Sequence, residues 1–152
     1  MDYKLNRIPE VKCEDNLLPD IPELKFHDLG GDTVIFNATE YCKSLGQDDF
    51  DWRTFSRINK RYIDGLVKTI ELDASTLFYQ DSKGDILMSQ GLTFIFLAFV
   101  DSDMLAYFNG AMADLMTVGL AFSDSFAYRL ASSRLPNDSL REIINNRENG
   151  QE

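Results

Sequence analysis

The chain has 152 residues, a formal net charge of −10 and a pI near 4.5, with 44% hydrophobic and 26% charged side chains. That length supports one domain with a real core, and the composition is not that of a disordered or fibrous chain. An acidic body repels polyphosphate at long range, which argues against generic nucleic-acid affinity.

Charge is unevenly placed. Residues 1–30 carry −3, 31–51 carry −4, 52–70 carry +4 and 71–152 carry −7. The two cysteines, Cys13 and Cys42, make no disulfide framework. Met1 to Leu5 lacks the apolar run of a signal peptide, and the longest apolar run, Leu92 to Val100, is half a membrane span. A cytoplasmic protein with no membrane partner is expected.

Pro9, Pro19 and Pro22 forbid a continuous helix over residues 1–30. Ile8, Val11, Leu17, Leu18, Ile21, Leu24 and Phe26 are too apolar for a free linker. An extended arm that wraps its own domain or a neighbouring subunit fits both facts. Gly30-Gly31-Asp32 marks a turn, and Thr33 to Phe36 reads as a strand. Asn37 or Thr39 caps the next helix, through Glu40 to Leu45, and Gly46 ends it.

Asp48, Asp49 and Asp51 sit where a second helix should begin. The spacing predicts one long helix from about Phe50 to Ile70, with Phe55, Ile58, Tyr62, Leu66 and Ile70 on the apolar side. Arg53, Arg57, Lys60, Arg61, Asp64 and Lys68 gather on another side, and Gly65 marks a possible bend. Leu77 to Tyr79 and Ile86 to Met88 flank Asp81-Ser82-Lys83-Gly84, which predicts a β-hairpin.

Two helices follow. Ser89 caps the first, through Leu92, Ile95, Phe96 and Phe99. Asp101 or Asp103 caps the second, through Leu105, Phe108, Met112, Leu115 and Met116, and Gly119 ends it. Residues 120–134 are helix-permissive up to Pro136, and Ser139-Leu140-Arg141-Glu142 opens a short final helix before a frayed tail. The organisation expected is an arm over 1–30, a domain over 31–134 and a short C-terminal helix over 135–152.

No catalytic constellation is visible, and neither a metal, a cofactor nor an enzymatic activity is expected. His27 stands alone in the arm with no ligand-type residues at metal spacing. Cys42 reads as a structural thiol, and no phosphate-cradling Gly-Lys-Ser/Thr pattern exists. The aspartates of residues 48–51 lack the Gly and closing Glu of a calcium loop, so helix capping explains them.

From Val34 to about Gly119 the sequence resembles the KilA-N domain of phage and large DNA-virus proteins. The residues that carry the resemblance are Asn37-Ala38-Thr39, Lys43-Ser44-Leu45-Gly46, Trp52, Gly91-Leu92 and Asp101-Ser102-Asp103-Met104-Leu105. It implies an α+β fold with a strand, two helices, a β-hairpin and two or three further helices. At the hairpin this chain has Lys83-Gly84 and Ser89-Gln90 where the family carries several glycines and a Trp before a His-Pro pair.

The resemblance implies a phage or prophage regulator in a bacterial host, and two uses compete. The first is an antirepressor-like protein interaction in which the acidic body is attracted to a basic DNA-binding repressor. Phe94, Phe99, Met104, Phe108 and Met112 would form its apolar interface, although such a stripe at helical spacing equally suits a core. The second use is DNA binding through Arg53, Arg57, Lys60, Arg61 and Lys68. The same stripe could instead meet another protomer's acidic surface, so a homo-oligomer is expected.

Overall fold

A computed structural model describes residues 2–119. The fold is α+β, as the sequence predicts. It has a five-stranded mixed sheet in the order β1-β4-β5-β3-β2. The strands are β1 (Leu5–Arg7), β2 (Phe26–Gly30), β3 (Thr33–Asn37), β4 (Phe78–Gln80) and β5 (Ile86–Ser89). The helices are α1 (Ala38–Ser44), α2 (Trp52–Ile58), α3 (Lys60–Thr69), α4 (Thr93–Val100) and α5 (Ser102–Val118). The chain divides into two compact units between Asn109 and Gly110, within α5. The segment expected over 120–134 and the helix expected after Ser139 lie outside the described residues.

The arm packs on its own domain and completes the sheet. β1 lies parallel to β4 along one edge, and β2 pairs antiparallel with β3 along the other. Gly30, Gly31 and Asp32 have φ of 84°, 59° and 63°, the left-handed conformations that the tight β2–β3 turn needs. One row of side chains then runs across the sheet in register: Leu5, Phe78, Met88, Phe36 and Phe26. The helices cover this face with Tyr41, Phe55, Ile63, Leu92, Phe96 and Leu97, all buried. The opposite face buries Ile35, Tyr79 and Leu87 beneath Ile8, Val11 and Cys13 of the arm. An arm crossing from one edge to the other thus covers the face that no helix reaches.

Local capping follows the sequence closely. The Glu40 amide donates to Asn37 Oδ1 at 2.9 Å, and Gly46 ends α1 with φ of 75°. Asp51 accepts from the Arg53 and Thr54 amides at 3.1 and 3.3 Å and so starts α2. Asp101 accepts from the Asp103 and Met104 amides and starts α5. Ser89 caps a short 3-10 turn that leads into α4.

The long helix expected over 50–70 is two helices. They meet at Asn59, not at Gly65, through which α3 runs unbroken. Asn59 donates to the Phe55 carbonyl from both its amide and its side chain at 3.0 Å, which closes α2. Its own carbonyl then accepts from Tyr62 and Ile63 and opens α3. A short amide side chain that bonds the preceding turn competes with helix continuation. α2 buries Phe55 and Ser56, and α3 buries Ile63 and half-buries Leu66 and Val67. Ile58, Tyr62 and Ile70, expected on the apolar side, are instead 57%, 67% and 53% exposed.

Phe96 sits where these elements converge, with its ring 5.0 Å from Phe36, 5.3 Å from Phe50, 5.7 Å from Tyr41 and 6.4 Å from Phe55. Phe96→Ala should cost about 3–5 kcal/mol, most of a small domain's stability. Phe94→Ala, on the same helix but 61% exposed, should cost under about 1 kcal/mol. Urea unfolding with unchanged slope measures both.

Candidate functional site

Two surfaces of the first unit retain functional character. The first is cationic and lies on α2 and α3. Arg53, Arg57, Arg61 and Lys68 are all exposed. Arg57, Arg61 and Lys68 make no ion pair among the described residues. At 100° per residue, Arg61, Tyr62, Gly65, Lys68 and Thr69 share one outward face of α3. A Cβ added at Gly65 would meet nothing within 4 Å, so this face is open along its middle.

Lys60 differs from the rest of the stripe. Its ammonium lies 3.3 Å from Asp64 and 5.1 Å from the centroid of the Tyr3 ring. Tyr3 in turn donates its hydroxyl to Asp64 at 2.5 Å, tying the chain just before β1 to α3. That hydrogen bond, with Lys60 beside it, holds the Asp64 carboxyl below the ordinary carboxylate value. Burial and the same carboxylate push the Tyr3 hydroxyl up. Arg53 stands 5.9 Å from the centroid of the Trp52 ring, whose own neighbour is Phe78 at 5.1 Å. Tyr3, Trp52, Arg53, Ser56, Arg57 and Lys60 line an open groove of about 250 Å³, with Asp2 at its edge.

The second surface lies on α4 and the start of α5. Every residue of α4 after Thr93 is apolar, so burying one side leaves Phe94 and Phe99 in solvent. The ring of Phe94 stands 5.2 Å from that of Phe108, which with Met104 is half-buried. Leu105 and Tyr107 add exposed apolar area. The carboxylates here are Asp101 and Asp103, and no Lys or Arg occurs between Lys83 and Arg129. Within the second unit, α5 exposes Met112, Leu115, Met116 and Val118. The sequence-predicted apolar set is therefore divided: Phe94 and Phe99 are exposed in the first unit, Met104 and Phe108 are half-buried, and Met112 lies exposed in the second.

Sequence reasoning missed the exposure of Ile58, Tyr62 and Ile70, of which Tyr62 shares the outward face of Arg61 and Lys68. The available signal was Ile63 and Val67, which with Phe55 and Leu66 define an apolar side that leaves Ile58 and Tyr62 at its edge. Among the described residues, no three His, Cys, Asp or Glu side chains gather as a metal would require. Burial pushes the Cys42 and Cys13 thiols up to about 11 each, with Glu40 adding to the effect at Cys13. Neither is poised as a nucleophile near neutral pH. No single helix among the described residues is long and apolar enough to cross a membrane. Comparison with protein families, curated proteins and solved structures finds no match.

Because its carboxyl is held low, Asp64 favours the folded chain at neutral pH, and this contribution fades as pH falls through the lowered value. In Tyr3→Phe the strongest donor is gone and the Asp64 carboxyl should rise towards the ordinary range. A carbon-13 titration of the Asp64 side chain reads this directly. The amides of β1 should exchange faster in the same variant.

Proposed function

We propose that this chain is a non-enzymatic protein-interaction module. It docks the α4–α5 surface on a basic protein, of the DNA-binding repressor type that the KilA-N resemblance implies. One observation carries the reading: Phe94, Phe99 and Leu105 are exposed in a stretch of chain without a single cation, with Asp101 and Asp103 between them in sequence. Asp49 and Asp51 share a groove with Phe99. An apolar centre with acidic neighbours matches a partner whose surface is basic, and the net charge of −10 speeds that encounter. The antirepressor assignment itself rests on the sequence resemblance. Support for the physical half comes from the exposure of the apolar side chains and the charge around them.

Capture from a lysate of the host cell tests the reading when two variants run beside the wild type. Phe94→Ser/Leu105→Ser should lose a basic DNA-binding protein that the wild type retains, and Arg57→Glu/Arg61→Glu should keep it. Retention of that protein by the first variant overturns the assignment of the surface.

A second reading, duplex binding through α2 and α3, is favoured by the exposed Arg57, Arg61 and Lys68, which make no ion pair among the described residues. Three phosphate contacts would give a log–log salt slope of about −2.7. The acidic body opposes this approach, so association with mixed duplex fragments at physiological salt should be negligible. Tight association that Arg57→Glu/Arg61→Glu abolishes would establish this reading over the first.

A further inference from the structure

The α2–α3 and α4–α5 surfaces are complementary to each other, and we infer that the chain self-associates by docking the α2–α3 face of one copy on the α4–α5 face of a second. On α2 and α3, Ile58 and Tyr62 stand in solvent on the elements that carry the exposed Arg57, Arg61 and Lys68. On α4 and the start of α5, Phe94, Phe99, Leu105 and Tyr107 stand in solvent with Asp101 and Asp103 as the nearby charges in sequence. Each face thus offers what the other lacks. Apolar area can meet apolar area while cations meet carboxylates.

Charge selects this pairing over the two like-with-like alternatives. Two α2–α3 faces would bring Arg57, Arg61 and Lys68 against their own kind. Two α4–α5 faces would oppose carboxylates with no cation available from Gly84 to Val118. Like charges across an interface suppress a wrong pairing, and opposite ones fix the register of a right one. Duplex DNA matches the cations of the first face but offers little to the exposed Ile58 and Tyr62, and the acidic body repels it. A second copy satisfies both parts of that face.

The inference is independent of the repressor-type partner, although both use the α4–α5 surface. A neighbouring copy seated there and a basic protein partner therefore exclude one another.

Light scattering across micromolar concentrations, on the full chain freed of nucleic acid, provides the test. The wild type should show a mass above one chain that rises with concentration and falls with added salt. Arg57→Glu/Arg61→Glu spoils only the cationic face, and Phe94→Ser/Leu105→Ser spoils only the apolar and acidic one. Each alone should weaken association by about tenfold or more. Mixed in equal amounts, they should recover association, because each supplies the intact face that the other lacks.

All four positions are exposed or charged at the surface, and circular dichroism with urea midpoints checks that both variants fold. If one does not, Arg61→Gln or Phe94→Ala replaces it. A wild type that stays at the mass of one chain overturns the inference. So does a mixture no more associated than its parts, or association that persists in either variant. Failure here leaves the lysate capture unaffected, since that experiment reads a different protein.

Discussion

The ring of Phe96 is the contact on which the first unit depends. It gathers Phe36 from the sheet, Tyr41 from α1, Phe50 from the loop before α2, and Phe55 from α2 itself. Tilted and edge-to-face contacts among so many rings add directional preference to simple burial, and they fix how the helices sit on the strands. Once Phe96 is seated, the remainder of α4 has no freedom to choose its face. Phe94 and Phe99 must then lie where no protein covers them fully. The exposed apolar surface is thus a direct result of the core's own geometry.

Turns and caps were legible in the sequence because they depend on neighbours within four residues. Asn37, Gly46, Asp51 and Asp101 each act where their local pattern places them. The hairpin around Asp81 to Gly84 was readable for the same reason: Asp81 accepts from the Lys83 and Asp85 amides at 2.9 and 3.0 Å. The pairing of Leu5 with Phe78 spans most of the domain, and no local pattern announces a parallel edge strand of three residues. Exposure along α4 was illegible for a different reason. A helix apolar on every side has no moment from which to tell Phe94 from Phe96.

The apolar side of residues 50–70 was misread. Asn59 ends α2 by bonding the Phe55 carbonyl through its side chain, and Ile58, still within α2, is already turned outward because that helix buries Phe55 and Ser56. Ile58 and Tyr62 thus stand exposed on the same two helices as Arg57 and Arg61.

The stretch from Gly84 to Tyr128 contains neither lysine nor arginine. Trypsin therefore leaves β5, α4 and α5 within one long fragment, and amine-reactive cross-linkers find no handle on that surface. Acetylation and ubiquitination have no lysine to act on there either. Any positive charge in a complex formed at α4 comes from the molecule that binds it.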